Sequence, residues 1–263
     1  MIYIFLILVL VIIIHIYITL KPKYQHFSNN RRIPKVIYQT YSDIRKVPNE
    51  LLACSRDRII KLNPDYKYKL FDNNDIIKYI RDKWGKDMLD TYLSIDKSYG
   101  PARADLFRYL ILYDRGGIYL DIKSYCSVKF DDIFDYEDEF ILCNWKTKKW
   151  AKKLNYKNGE FINWFIACAP GHEFLKTVID NIVDKIKTVK KNKIVLSGKS
   201  DVLLVTGPII FTTSILDCLK KKKYKNIKIY DDFEKINLVY ACRDHVKLIK
   251  NHYSDNYKQL IKF

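Results

Sequence analysis

Apolar and polar residues alternate along the chain in short segments of two different periods. Runs rich in β-branched and aromatic residues predict strands, and apolar residues spaced three and four positions apart predict helices. The predicted strands are 35–39, 66–71, 117–121, 139–143 and 162–167. The predicted helices are 50–62, 74–84, 102–114, 173–187 and 208–219. Because the two kinds of segment alternate, the sequence predicts an α/β domain.

The start of the chain has a different pattern. Residues 2–20 are apolar, carry no formal charge and include His15 as the one strongly polar side chain. A run of this length is typical of a helix that crosses a bilayer. It lacks the basic start and small-residue cleavage site of a signal peptide. We therefore predict a single-pass transmembrane anchor over 1–20, a polar linker over 21–32 and the folded domain over 33–263.

The charges beside the anchor favour one orientation. No Lys or Arg precedes residues 2–20, whereas five follow between positions 21 and 35. The positive-inside tendency would place the folded domain on the cytosolic side.

The formal net charge of +17 raises the question of a nucleic-acid partner. The chain is rich in Lys, Ile, Asn and Tyr throughout, as expected from an AT-rich genome, so we interpret most of the charge as solvated surface. The smaller remaining part of the positive charge could attract anionic lipid or a diphosphate-bearing substrate. No nucleic-acid partner is predicted.

Familiar cofactor motifs and zinc spacings are not seen in the sequence. There is no GxGxxG or GxxxxGK[ST] loop, and the six cysteines form no CxxC pair, so a structural zinc site finds no support. Their even number leaves the redox compartment undecided. Cys143 and Cys168 lie in apolar runs and are predicted to be buried free thiols.

The predicted helix 102–114 carries the chemistry. Its surface is apolar nearly all round, apart from Asp105 and Arg108, which lie three residues apart and therefore share one side of the helix. The pair is either a structural ion pair or part of a cleft that binds a polar ligand. Gly116 and Gly117 end the helix, and a short apolar strand then delivers Asp121 to a carboxyl end, where α/β sheets bind ligands.

Five segments in order resemble glycosyltransferase family 32, a group of DXD-containing sugar transferases that includes yeast-type initiating α-1,6-mannosyltransferases and inositol phosphoceramide mannosyltransferases. The segments are IPKVIYQTY (33–41), NPDYKYKLFD (63–72), ARADLFRYLILYDRGGIYLD (102–121), FINWFIACAPGHEFLKTVID (161–180) and TGP (206–208). The similarity covers most of the chain after the linker.

The resemblance implies a GT-A fold, a mixed sheet flanked by helices that binds a nucleotide-diphosphate sugar, with Mn²⁺ or Mg²⁺ as the usual cofactor. It implies that Asp105 and Arg108 contact the donor sugar and its diphosphate side, and that Asp121 is the first acid of the DXD motif and a candidate metal ligand. The remaining implied donor-binding residues are Gln39, Thr40, Arg103 and Tyr109. His252, in the closing segment 250–257, is a second candidate metal ligand.

One residue departs from the family pattern. Lys123 stands where the second acid of the DXD motif is expected, and an ammonium does not ligate a hard cation. Three alternatives follow: Lys123 itself neutralises the diphosphate, a nearby acid such as Asp131 or Asp132 substitutes, or catalysis is lost. We favour retained activity and count Lys123, with Asp105, Arg108 and Asp121, among the catalytic candidates.

The resemblance therefore predicts a membrane-anchored, retaining transferase that moves a hexose, with mannose favoured, to a glycan, lipid or protein. The alternative is an inactive relative that serves as a membrane-tethered binding or scaffold protein. Anchored transferases of secretory compartments face the lumen, against the charge pattern, so the side of the membrane stays open.

Overall fold

The computed structural model describes residues 31–146, 148–242 and 257–263, and the described residues from Arg32 onward form one compact unit. The predicted anchor, nearly all of the linker and His252 lie outside the described residues, so these predictions remain predictions.

The described chain alternates strands and helices, as the sequence predicts. The strands are β1 Val36–Thr40, β2 Lys67–Phe71, β3 Gly117–Leu120, β4 Tyr125–Cys126, β5 Phe140–Trp145, β6 Glu160–Phe161, β7 Phe165–Cys168, β8 Ile227–Tyr230 and β9 Leu238–Val239. The helices are α1, composed of Asn49–Leu51, the π-helical Leu52–Asp57 and Arg58–Leu62, then α2 Asn73–Ser94, α3 Gly100–Arg115, α4 Lys148–Lys153, α5 Glu173–Lys191, α6 Gly198–Val205 and α7 Pro208–Lys221. Short 3₁₀ turns cover Ile44–Lys46, Phe130–Asp132 and Phe233–Ile236.

Seven of the described strands form one mixed sheet, in the order β2-β1-β3-β7-β5-β6, with β8 also paired to β5. β1 runs parallel to β2 and β3, and β7 runs antiparallel to β3 and β5. β4 and β9 form a separate antiparallel pair. This mixed sheet, flanked by helices, confirms the predicted α/β class.

The two faces of the sheet carry separate apolar cores. Helices α2, α3, α5 and α7 pack on one face around Phe107, Tyr109 and Phe211. The other face is covered by shorter segments around Phe130, Phe165 and Trp164. Helix α3 is buried on almost every side, which agrees with its apolar sequence.

Some predicted boundaries differ from the observed ones. Helix α2 continues to Ser94, beyond the predicted end at 84, across a kink at Gly85 (φ 77°). The predicted strand 162–167 begins only at Phe165. The Asn163 carbonyl accepts a hydrogen bond from the Arg108 side chain instead of from a neighbouring strand.

The turn between α3 and β3 requires glycine twice. Gly116 and Gly117 have φ of +60° and +106°. A methyl group on Gly116 would lie 2.7 Å from Pro170, and one on Gly117 would lie 2.7 Å from the Val36 carbonyl oxygen. This turn directs β3 into the centre of the sheet and so sets the position of Asp121.

A disulfide joins Cys54 in α1 to Cys242, 188 residues later. The other four cysteines are buried free thiols, so the prediction for Cys143 and Cys168 is confirmed.

Within the described chain, Gly198–Lys221 is long and apolar enough to span a membrane by composition. It consists of two helices, α6 and α7, with a break at Thr206 and Gly207, and more than half of its most apolar window is buried inside the fold. Its apolar character is therefore accounted for by core packing.

Candidate functional site

Asp121 directly follows β3, at the carboxyl end of the parallel strands β1, β2 and β3. Its backbone N–H donates to the Trp164 carbonyl at 2.9 Å, which fixes the end of β3 against the start of β7. Its side chain is 26% exposed. Asp121 therefore presents a carboxylate at the edge where ligands of such sheets bind.

Arg108 lies behind Asp121 and is only 3% exposed. Its Nη2 lies 3.0 Å from Asp121 Oδ1 and 3.2 Å from Asp105 Oδ1. Its Nη1 donates to the Asn163 carbonyl, and its plane lies 4.5 Å from the centre of the Tyr119 ring. The guanidinium thus bridges two carboxylates and leaves little of its surface open to a ligand.

Asp105, the other carboxylate bonded to Arg108, is also enclosed, with 8% of its side chain exposed. Asn163 Nδ2 donates to its Oδ1 at 2.9 Å, and the Thr206 hydroxyl donates to its Oδ2 at 3.0 Å. The Tyr109 hydroxyl accepts from the same Asn163 amide and donates to the Thr206 carbonyl. Asn163 and Thr206 therefore connect α3 to the loops before β7 and α7.

The enclosure of Asp105 and Arg108 shifts the pKa of both side chains. It raises the pKa of Asp105 to about 7, against the effect of Arg108, while Asp121 adds to the rise. Burial alone would lower the pKa of Arg108, but Tyr119, Asp121 and Asp105 around the guanidinium raise it above its ordinary value. Arg108 therefore stays charged, beside an Asp105 carboxyl group that takes up a proton more readily than an ordinary Asp.

Gln39 and Thr40 support the same edge from β1. The Gln39 amide donates to the Asp121 carbonyl at 3.1 Å and to Ser55 Oγ at 3.0 Å, and it accepts from the Tyr68 hydroxyl. The Thr40 hydroxyl lies 3.0 Å from the Tyr119 hydroxyl, which in turn lies 3.4 Å from Asp121 Oδ1. Both predicted residues contact the Asp121 segment from inside the fold.

Arg103 is not brought to the cluster. Its Nε and Nη2 donate to the Ile95 carbonyl at 2.9 and 2.7 Å, and it stacks over Tyr92. These contacts tie the start of α3 to the end of α2.

Lys123 shares a turn with Asp121, closed by the hydrogen bond from the Ser124 N–H to the Asp121 carbonyl. Its Nζ donates to the Tyr240 hydroxyl at 2.9 Å and lies 4.3 Å from the centre of that ring. The Cys242 N–H donates to the Lys123 carbonyl at 2.8 Å. The segment after β9, which the disulfide attaches to α1, therefore lies directly against Lys123.

The described donor set does not fit a divalent cation. Mn²⁺ and Mg²⁺ need several oxygen or nitrogen ligands, and the described residues contain no group of three His, Cys, Asp or Glu side chains able to hold a metal. Asp121 offers a carboxylate already bonded to Arg108, and the next position with the DXD spacing is an ammonium.

Asp131 and Asp132 do not supply the missing acid. Asp131 accepts from Lys35 Nζ and the Tyr66 hydroxyl, both at 2.7 Å. Lys35 precedes β1, whereas Asp121 follows the parallel β3, and a five-residue strand spans about 16 Å. Asp131 and its neighbour Asp132 therefore lie toward the opposite end of the sheet.

Sequence reasoning missed several residues of this edge, namely Tyr119, Asn163, Thr206 and Tyr240. Asn163 and Thr206 fall in the FINWF and TGP segments, so their motifs were a signal that could have found them. Tyr240 had no such signal. It packs against Trp145 and Trp164 at 4.7 and 5.4 Å between ring centres, and the buried Trp164 indole N–H has no hydrogen-bond partner among the described residues.

The chain is similar to known glycosyltransferases. A family model described as "Glycosyltransferase sugar-binding region containing DXD motif" matches residues 49–140. "Inositol phosphoceramide mannosyltransferase 3" of Schizosaccharomyces pombe is 30% identical over 60% of this chain, which spans 40% of that relative's length. "Uncharacterized glycosyltransferase L373" of Acanthamoeba polyphaga mimivirus is 24% identical over 86% of this chain and 90% of its own.

A solved structure shows the fold. The "PaToxG Glycosyltransferase" structure superposes with a TM-score of 0.52 at 17% identity, covering 72% of this chain and 70% of its own. The mixed sheet with flanking helices is therefore a GT-A-like glycosyltransferase fold.

Proposed function

We propose that the chain, as a member of the glycosyltransferases with a DXD-containing sugar-binding region to which it is similar, transfers a hexose from a nucleotide-diphosphate sugar to a glycan, lipid or protein acceptor. Mannose is favoured because several curated relatives are named mannosyltransferases. The observation that carries the proposal is the bridge from Arg108 to Asp105 and Asp121 at the carboxyl edge of the sheet.

Each residue of the cluster has a part in this reaction. Asp121 is the carboxylate with solvent access and contacts the donor. Arg108 and Asp105 are enclosed and act as positioning residues, because their hydrogen bonds fix the direction of the Asp121 carboxylate. A carboxylate held in place before substrate binds needs no reorganisation during the reaction.

The reaction breaks the bond between the sugar C1 and the β-phosphate oxygen, and the electron pair stays with the phosphate. The acceptor oxygen forms the new bond to C1, and its proton passes to the departing phosphate oxygen. Such front-face transfer retains the anomeric configuration and needs no protein nucleophile. A divalent cation at the diphosphate, if one were bound, would supply positive charge to neutralise the departing phosphate.

The disulfide supports a lumenal or extracellular site of action. Disulfides persist in oxidising compartments and are rare in the cytosol, and Cys54 and Cys242 are bonded in this fold. We therefore place the domain on the lumenal side of the predicted anchor, against the charge pattern of the linker. In sealed microsomes the domain should resist added protease, and its non-reduced digest should contain the Cys54–Cys242 peptide pair. Digestion of the domain with both thiols free would contradict this orientation.

The proposed activity is tested on the full chain purified in mild detergent. Release of nucleoside diphosphate is followed from GDP-mannose and from common UDP-hexoses, with Mn²⁺, with Mg²⁺ and with excess EDTA. We expect turnover of one donor, lost in Asp121→Asn. A chain that neither turns over a donor nor binds GDP or UDP would instead support the inactive scaffold.

A further inference from the structure

Lys123 is held at the site by neutral groups. Tyr240 provides both its hydroxyl and its ring face to the ammonium. Within the described chain no carboxylate lies within 4.0 Å of Lys123 Nζ, although Asp121 is two residues away. A ring face and a hydroxyl stabilise an ammonium without cancelling its charge, so this charge stays available to an anionic ligand.

Tyr240 is itself fixed by several contacts. It follows β9, which pairs with β4, and its carbonyl accepts from the Ser124 hydroxyl. Its ring packs edge-on against Trp145 and Trp164. Two residues later, Cys242 donates to the Lys123 carbonyl and is bonded to Cys54. Tyr240 is therefore a fixed support rather than a residue of a free loop.

The same turn lacks the ligands that a divalent cation needs, as shown above. The leaving nucleoside diphosphate nevertheless gains negative charge on its β-phosphate, and that charge must be neutralised for the C1–O bond to break at a useful rate. Of the two side chains with the DXD spacing, only Lys123 carries a positive charge.

We propose that the Lys123 ammonium, positioned by Tyr240, replaces the divalent cation at the diphosphate, so that this chain binds and uses its donor without metal. This inference rests on the proposed function and specifies how the leaving group is stabilised. Lys123 contacts the diphosphate and is a catalytic residue, whereas Tyr240 acts through Lys123 and is a positioning residue.

The test measures binding of GDP and of UDP to the full chain by calorimetry, in EDTA and in Mn²⁺, beside turnover of the best donor. For the original chain we expect dissociation constants that agree within about twofold in the two conditions. Lys123→Asp, which restores the DXD spacing, should weaken binding in EDTA by about 10- to 100-fold, as for loss of a charge-assisted contact, and recover it in Mn²⁺. Lys129→Asp makes the same charge change at an exposed position six residues further along the chain, away from this edge, and should change neither value.

Two variants of Tyr240 test whether this residue positions Lys123 or only stabilises the fold. Tyr240→Phe keeps the ring and should lower kcat by less than about tenfold, whereas Tyr240→Leu removes both contacts and should lower it further. In both variants, turnover should remain independent of EDTA, and GDP binding in EDTA should weaken in the same order as kcat falls while the thermal unfolding temperature of Tyr240→Phe stays close to that of the original chain, a pattern that general loosening of the fold would not give.

The outcomes separate this inference from the proposed function. Metal-dependent binding or turnover by the original chain would overturn the inference and leave the transferase intact. Unchanged EDTA binding in Lys123→Asp, with its fold confirmed by thermal unfolding, would also overturn it. Failure to bind either nucleotide in both conditions would overturn the inference and the proposed function together.

Discussion

Each end of the parallel strands carries an acid, a basic side chain and a tyrosine, but the surroundings of the two sets differ. At the amino end, Asp131 accepts hydrogen bonds from Lys35 and the Tyr66 hydroxyl. At the carboxyl end, Asp121 contacts Arg108 and the Tyr119 hydroxyl. Lys35 is 36% exposed and Arg108 is 3% exposed.

This difference in burial separates a surface ion pair from a functional cluster. Exposed pairs are screened by water and contribute about 0–1 kcal/mol. A buried cation between two carboxylates contributes far more to their placement, because any unpaired charge left behind is costly. An acid, a cation and a tyrosine are therefore insufficient to identify a site, whereas their enclosure at a carboxyl edge is informative.

The largest effect is expected from Arg108→Met. This change leaves Asp105 and Asp121 close together without their shared cation, so we expect a loss of about 3–5 kcal/mol in the free energy of unfolding and no detectable transfer. Urea unfolding and donor turnover measure both. Arg108→Lys keeps the charge without the bridging geometry and should recover part of the stability but little of the activity. If Arg108→Met unfolded at the same urea concentration as the original chain, the bridge would not be needed for stability.

Asp121→Asn should lower kcat by about 10²–10³-fold, comparable to the loss of one preorganised polar group in an active site. Its stability should change little, because the amide oxygen can still accept from Arg108 and the side chain is partly exposed. Asp131→Asn is the matched change at the amino end and should leave kcat within about twofold. Equal losses in the two variants would remove the distinction between the ends.

Near the amino end of the parallel strands, His172 should make the free energy of unfolding depend on pH in the acid range. Its Nδ1 accepts from the Phe174 N–H at the start of α5, and burial lowers its pKa from 6.5 to about 4. Below pH 6.5 the unfolded chain therefore binds a proton that the folded chain does not, and stability falls as the pH drops toward 4, by up to about 3 kcal/mol. His172→Asn keeps a capping acceptor without the titration. Urea titrations at several pH values should give a flatter profile for this variant, and an identical slope would exclude His172 as the source.

The smallest effect is expected from Lys35→Met, which removes the cation at the amino end. Because Lys35 and Asp131 are both substantially exposed, the free energy of unfolding should change by less than about 1 kcal/mol, and added salt should reduce the difference further. Urea unfolding at low and high salt tests this. A loss approaching that of Arg108→Met would mean that burial does not separate the two ends.

Local periodicity was enough for most of the elements and for one contact of the site. The spacing of Asp105 and Arg108 already indicated neighbours on one helix, and the pair is a buried ion pair in the fold. The apolar run after Gly117 already placed Asp121 at the carboxyl end of a strand, and the resemblance motifs supplied its expected role and the order of segments. Helices α4 and α6 and the short strands β4, β6, β8 and β9 were not predicted, because two to eight residues carry too weak a period.

The rest of the site depends on contacts between distant parts of the chain. Thr206 and Asp105 are 101 residues apart, and Lys123 and Tyr240 are 117 apart. Neither pairing follows from the period of a helix or strand, since both are set by how loops meet at the sheet edge. The Cys54–Cys242 bond is of the same kind, because spacing alone does not determine which cysteines pair.

That disulfide also determines how the fold would respond to tension. Strands β2 to β9 lie between its two cysteines, and β1 is the one named strand outside them. A pulling force applied to the two ends of the chain would pass through the sulfur–sulfur bond, and the 188-residue interval, about 650 Å of extended chain, would bear no load. Only β1 could then be peeled from the sheet, and with it Gln39 and Thr40 would leave the Asp121 edge before any other strand moved.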